Sequence, residues 1–450
     1  MKRICLAVLV AFAFGLFSGS TSGQPKQKKT NAPQTKTAPS KAKPFPTQPK
    51  KKKKEAKKTP ASKPTPPKHP ESLKKWNQLD ARRREIGKTL RELRRKFQVA
   101  SRARKLEIQK DFEALIAEWT DKIEPAMIDL AFDVLEDQPK NKLAFDMVAN
   151  SGRYAEIAKV MTSLMNAGHT GSDIVRAAAM ANFSLNQFTE AQKILEAAKA
   201  KRELDFAETS LLEDTKKHVE YWAKEQAIRE KEAKLPPDQK LPRVEMKTNK
   251  GTVVLELFEN EAPNTVANFI SLVEDKFYDG LHFHRVVPNF VVQIGDPATR
   301  KDYDPKKPYG FGGPGYSIKC ECYEKNARLH FRGSLSMAHS GRDSGGSQFF
   351  ITHVPTHRLN APPHGIHSHT VFGRVVSGMD VIDAIKKDDR IEKMTVLNKR
   401  NHPYVPKKVG DKEEGKTEPG KTTPSKSKED STTPKKPIKT GKSTPPPKKK

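Results

Sequence analysis

From about Glu71 to Lys234 the apolar residues recur at helical spacing. Leu79, Ile86, Leu90, Leu93, Phe97 and Ala100 follow one another at steps near three and four, tracing one stripe along an amphipathic helix or helical hairpin. The stretch is rich in Ala, Leu, Glu, Lys and Arg, and no proline falls between Glu71 and Glu124. Its Arg82-Arg83-Arg84 and Arg94-Arg95-Lys96 clusters read as solvated faces. Lys234-Leu235-Pro236-Pro237-Asp238 then breaks the helical pattern and marks a boundary. Beyond it the period shortens to two: Thr252 to Phe258 alternates as a strand does. Thr265 to Val273 returns to helical spacing, with Pro263 near its start. Strands are expected at Phe283 to Val287, Val291 to Ile294, Ser334 to Met337, Gln348 to Thr352 and Thr370 to Val375. A helix from about Met379 to Ile385 and a last strand near Met394 to Leu397 complete the series.

The two ends carry neither pattern. Residues 24–70 hold 15 Lys against one Glu, and 401–450 hold 14 Lys against six acids, so most of the net charge of +30 lies outside 71–400. Both arms are also rich in Pro, Thr and Ser, a composition too poor in apolar surface to offset the entropy of ordering, and are expected to be disordered. Lys50 to Lys54 and Lys448 to Lys450 can meet an anionic surface by charge alone, although a solvated spacer accounts for them as well. Nucleic acid is not expected as the main partner. Phe45 is the one aromatic residue in 24–70, so the base-stacking platforms of single-strand binders are missing there.

Lys2-Arg3, the apolar run Ile4 to Phe17 and the small residues Ser18 to Gly23 make a secretory signal peptide, with cleavage expected near Ser20 to Gly23. The run is short of the roughly 20 residues that span a bilayer, which leaves a retained anchor as the weaker reading. The protein is accordingly expected to be exported, to periplasm, envelope or medium. After the leader only Cys320 and Cys322 remain, too few for a disulfide framework. They are read as unpaired thiols, with metal or redox sensing as the alternative.

Within the helical region, Gly152 to Met161 and Asn186 to Leu195 superpose with an offset of 34 residues. That period resembles tetratricopeptide repeats. Phe188, Ala191, Leu195 and Ala198 fall where that family places aromatic, small, bulky and small residues, whereas the first copy has Ile157 and Leu164 at two of the small positions. A generic helical hairpin bundle fits equally well. Either way the region reads as a docking module for a protein partner, TPR-like over 140–200, with no catalytic constellation of its own.

Two segments carry the chemistry: Phe283-His284-Arg285-Val286-Val287-Pro288-Asn289-Phe290-Val291-Val292-Gln293-Ile294-Gly295-Asp296, and Leu335-Ser336-Met337-Ala338-His339 running on to Gly346-Ser347-Gln348-Phe349-Phe350. Together they resemble the signature of the cyclophilins, the peptidyl-prolyl cis/trans isomerases. The resemblance covers about 242–400 and implies an eight-stranded antiparallel β-barrel with two helices. The expected order is thus signal peptide 1–23, disordered arm 24–70, α-helical region 71–234, linker 235–241, barrel 242–400 and disordered tail 401–450.

The resemblance also implies roles. Arg285 stands at the family's catalytic arginine, with Gln293 holding it and Phe290 beside it. Phe290, Val291, Phe350, Leu359 and His369 match the apolar cup for the proline ring, and Ala338, His339, Ser340 and Gln348 line the groove next to it. No cofactor and no metal are required, and the substrates are proline-containing polypeptides. Three departures stand out. Arg358 occupies a position where many members have tryptophan, tied to cyclosporin binding. Val291 replaces a common methionine and His339 a common asparagine. Nine residues separate Leu359 from His369 where the family has about three. Nine of the 13 histidines fall between His282 and His369, and His364, His367 and His369 have the chemistry of transition-metal ligands. Their irregular loop, without an acidic companion, reads better as a polar loop with one pocket histidine.

The function expected is therefore isomerisation of X-Pro bonds in exported proteins, assisting their folding. Two rivals use the same residues differently: a proline-peptide-binding scaffold that needs no turnover, and a polyanion- or envelope-attached structural protein in which the basic arms dominate.

Overall fold

A computed structural model describes residues 66–300, 303–361 and 368–411. The leader, most of both basic arms, His364 and His367 lie outside the described residues. Where the helical stripe was expected, α1 (Pro70–Val99) starts with a proline in its first turn, and α2 (Arg102–Glu118) starts with the Ser101 hydroxyl accepting from the Arg104 N–H. Leu93, Ile108 and Phe112 bury themselves between the two, with Leu90, Phe97 and Ala100 packed against them. The helices α3 (Glu124–Asp137), α4 (Lys142–Ala149), α5 (Tyr154–Asn166), α6 (Ser172–Ser184), α7 (Phe188–Lys199) and α8 (Phe206–Ala233) follow, each packed on a helix one or two places away in the series. Ile157, Leu164, Phe188, Ala191, Leu195 and Ala198, the positions that match across the 34-residue offset, are all buried. The last helix is fixed at its start by a capping box in which Asp205 and Glu208 satisfy each other's backbone N–H.

After the Pro236-Pro237 break comes an antiparallel sheet of β1 (Arg243–Thr248), β2 (Gly251–Leu257), β3 (Arg285–Val287), β4 (Val291–Ile294), β5 (Ser334–Met337), β6 (Phe349–Thr352), β7 (Val371–Ser377) and β8 (Ile391–Asn398), in the spatial order β3-β4-β6-β5-β7-β2-β1-β8. Strand β1 had no forecast of its own. The sheet curls until its ends meet, yet β3 and β8 share no ladder. Closure falls to the residues before β3, which meet the start of β8 and the turn leading into it: Phe283 N–H donates to Asp389 O at 2.8 Å and Ile391 N–H to Leu281 O at 2.9 Å. Two helices flank it, α9 (Pro263–Glu274) and α10 (Met379–Ala384). Inside, Phe269 meets Phe372 at 5.1 Å and Phe349 at 5.3 Å between ring centroids, both edge to face, and Tyr278 closes the cluster against Phe349 at 5.4 Å.

The tail begins later than expected. Tyr404 is buried in the barrel core and Val409 N–H donates to Ser317 O at 2.8 Å, so the chain stays on the barrel through 409.

The helical region and the barrel share a core. Phe331 of the barrel lies 4.9 Å from Trp222 of α8 and 6.1 Å from Phe188 of α7. Beside that contact a buried ionic cluster crosses the boundary: Arg328 donates to both oxygens of Glu225 at 2.9 and 2.7 Å and to Glu232 at 2.6 Å, and Arg374 donates to Glu232 at 2.8 Å and to Glu256. Burial by itself would raise the Glu225 carboxyl, but the hydrogen bonds and charge of Arg328 hold it below the ordinary range.

Candidate active site

The β3–β4 hairpin builds the centre of the site. Pro288 and Asn289 form its turn, with Asn289 at φ 60° and Phe290 N–H donating to Val287 O at 3.1 Å. Proline presets the first corner and asparagine tolerates the left-handed second one. The register places Arg285 opposite Gln293, and Gln293 opposite Phe350 on β6. Three polar side chains thus run across neighbouring strands. Arg285 Nη1 donates to Gln293 Oε1 at 3.3 Å, Gln293 Nε2 to Gln348 Oε1 at 3.1 Å, and Gln348 Nε2 to the Gly312 carbonyl at 2.8 Å. Gly295 allows this convergence: a Cβ there, at φ 107°, would stand 2.3 Å from the Ser347 carbonyl oxygen.

Beside that relay the apolar residues gather. Val291 and Phe350 are buried, Phe290 and Leu359 half-buried. His369 meets Phe350 edge to face at 5.3 Å, its Nδ1–H donates to Met337 O at 2.9 Å, and its backbone N–H donates to Leu359 O at 3.0 Å. Behind Phe350, at 5.9 Å, stacks His330, whose ring nitrogens bond Asn360 Oδ1 at 2.7 Å and Ser336 Oγ at 2.9 Å. Burial pushes its pKa down to about 3, so it is neutral across the physiological range. The Phe290 carbonyl accepts from His353 N–H at 2.9 Å.

The adjoining edge is formed by Ala338, His339 and Ser340. Ala338 N–H donates to Gln348 O at 2.9 Å, and Ser340 is exposed. His339 stacks on His369 at 4.2 Å and its Nε2–H donates to Ser368 O at 2.7 Å. Burial would lower His339, but the neighbouring Cys320 thiol outweighs it and the pKa ends raised. Cys320 itself is held below the ordinary thiol range, mostly by Cys322 and further by His339. Both thiols are free. Among the described residues no group of three metal-ligating side chains occurs.

The structure links Arg285, Gln293 and Gln348 by hydrogen bonds, and Phe350, His369, His339 and Leu359 by ring and backbone contacts, with Phe290 and Val291 on the hairpin between Arg285 and Gln293 and Ser340 exposed beside His339. The motif left two features unannounced. Arg358 lies with its guanidinium carbon 4.3 Å over the Phe290 ring, while that of Arg285 is 5.9 Å from the same ring. The helical region also reaches both rims: Tyr154 of α5 donates to Asn289 Oδ1 at 2.6 Å, and His218 of α8 meets His357 edge to face at 5.4 Å. The Pro288-Asn289 turn was legible, but its distant partner was not.

Comparison with known proteins agrees with this geometry. Residues 243–405 match the family model "Cyclophilin type peptidyl-prolyl cis-trans isomerase/CLD". A peptidyl-prolyl cis-trans isomerase of Helicobacter pylori is 48% identical over 33% of this chain and 82% of its own length. The chain belongs to the cyclophilin family. A peptidyl-prolyl cis-trans isomerase of Synechococcus elongatus is 45% identical over 34% of this chain and 94% of its own, and peptidyl-prolyl cis-trans isomerase B of Bacillus subtilis 47% over 32% and 90%. The matched part is a cyclophilin-type peptidyl-prolyl cis-trans isomerase. These relatives cover about a third of the chain, so the α1–α8 region and the arms are additions to the cyclophilin barrel.

Proposed function

We propose that this cyclophilin isomerises X-Pro bonds of exported polypeptides, with Arg285 as its catalytic residue, and so assists their folding. The observation that carries the reading is the relay from Arg285 through Gln293 and Gln348, set beside a cup of Phe290, Val291, Phe350, Leu359 and His369. Rotation about an X-Pro amide is opposed by a barrier of roughly 18–20 kcal/mol, because the nitrogen lone pair is shared with the carbonyl. An acceleration of about 10⁵ asks for about 7 kcal/mol off that barrier. No nucleophile is needed, only groups that bind the twisted amide better than either planar form. When the bond twists, the lone pair returns to the prolyl nitrogen and becomes an acceptor. The guanidinium of Arg285 supplies donors in a fixed plane to meet it. Gln293 sets the angle of that plane, the cup holds the proline ring while the rest of the peptide turns, and the edge formed by Ala338 to Ser340 steadies the main chain.

Export is supported by the Lys2-Arg3 start, the apolar run and the small residues after it. On this reading the Lys/Pro-rich arms are spacers that meet anionic surfaces, and the α-helical region docks a protein partner. The test is refolding of an exported protein whose slow phase is proline-limited, together with the mass of the secreted product. Acceleration of the slow phase by the mature chain and loss of residues up to about Ser20–Gly23 are expected. An unaccelerated slow phase, or a product retained in the cytosol at full mass, overturns the reading.

A further inference from the structure

Three arginines of the barrel are largely buried, and two stand exposed at its cup. Arg328, Arg332 and Arg374 spend their charge inside the protein: Arg328 on Glu225 and Glu232, Arg374 on Glu232 and Glu256, and Arg332 on Asp383, to which its Nη1 donates at 3.0 Å. Arg285 and Arg358 have no carboxylate partner among the described residues, and both are exposed. They converge on one ring, that of Phe290, at 5.9 and 4.3 Å. The face of an aromatic ring attracts a cation, but two cations gathered around a single ring repel each other, and an anion entering beside them relieves the repulsion.

The segment that bears Arg358 is also held. Thr356 N–H donates to His330 O at 2.9 Å and Asn360 N–H to His357 O at 2.9 Å. The His357 ring rests against His218 of α8 at 5.4 Å. The guanidinium is thus presented at the rim from a fixed backbone, which lowers the entropy lost when it engages a ligand. Its planar fork suits a carboxylate.

From this arrangement we propose that Arg358 is a specificity-determining residue, selecting X-Pro segments that carry a carboxylate side chain within one or two residues of the proline. The proposal rests on the reading of the Phe290 cup as the substrate site and names the class of substrate that site prefers. A Phe290 ring shared between the bound proline and Arg358 brings the neighbouring substrate residue over the guanidinium.

The test compares isosteric peptide pairs, Glu against Gln, placed one and two residues before and after the proline, by exchange NMR with the full mature chain. At one of these positions the Glu peptide is expected to show about three- to tenfold higher kcat/KM, the range of a partly exposed ion pair with good geometry. That ratio shrinks as salt rises. Arg358→Gln should bring it to about one, through loss on the Glu peptide, and Arg358→Lys should keep part of it. Equal values for Glu and Gln at every position in wild type, or a ratio that survives Arg358→Gln, overturns the proposal. Should wild type isomerise neither peptide, the isomerase reading fails separately and NMR titration decides this one: tighter binding of the Glu peptide, lost in Arg358→Gln, upholds it, and equal binding overturns it.

Discussion

At the scale of single residues the site is a matter of aim. Arg285 is exposed and keeps its direction because Gln293 accepts one of its N–H groups while Gln348, tied to the Gly312 carbonyl, fixes Gln293. Removing the middle member leaves the charge in place and the angle free. Gln293→Ala is therefore expected to lower kcat/KM about tenfold, the equivalent of one net hydrogen bond at about 1.4 kcal/mol, with most of the loss in kcat. Steady-state kinetics that found only KM changed would reassign Gln293 to ground-state binding. Residues of this kind were readable in the sequence because β pairing converts a spacing of eight, Arg285 to Gln293, into direct opposition across a hairpin. Arg358 is the counter-example. Its motif position announced a departure from tryptophan, but only the folded chain brings it over Phe290.

At the scale of elements the helices were legible in their stripes and the strands in their alternation, with shifts of one to three residues at the ends, the largest at the start of β8. Strand β1 escaped notice because its polar positions are long charged residues, Arg243, Glu245 and Lys247, close behind the Pro236-Pro237 break. The contact between α8 and the barrel could not be read, since Glu225 and Arg328 stand 103 residues apart and nothing local marks either. That contact makes a strong prediction. Glu225 is buried between Arg328 and Arg229, with Arg374 close by, so Glu225→Ala strands buried guanidinium charge and should cost about 3–5 kcal/mol. The check is a lowered denaturant midpoint. A midpoint that did not move would mean water reaches the cluster and solvates the arginines.

At the scale of the whole molecule two additions to the cyclophilin barrel meet its cup from outside: α5 through Tyr154 on Asn289 and α8 through His218 on His357. The shared core around Phe331, Phe188 and Trp222 makes barrel and helices one packing unit, which composition alone did not announce. That unit carries buried neutral histidines. Burial depresses His218, His284, His330 and His353, the third to about 3. The unfolded chain binds these protons near pH 6.5. Their contribution to stability is therefore full above about pH 6.5 and declines as the pH falls below it, for His330 down towards 3. For His330 alone the slope is about 1.4 kcal/mol per pH unit. Denaturation series at pH 7, 6 and 5 should show this fall, with a shallower slope in His330→Gln. A pH-independent midpoint over that interval would contradict a neutral buried His330.

In the function proposed here, catalysis turns on one guanidinium beside a proline cup. Exchange NMR on an X-Pro peptide with the wild-type chain and with Arg285→Ala measures it directly. Strong acceleration is expected from wild type, and a loss of about a hundredfold or more in kcat/KM from the variant, with the fold and the peptide-induced shifts around Phe290 and Phe350 retained. Full activity in Arg285→Ala, or no acceleration by the wild-type chain, would contradict it.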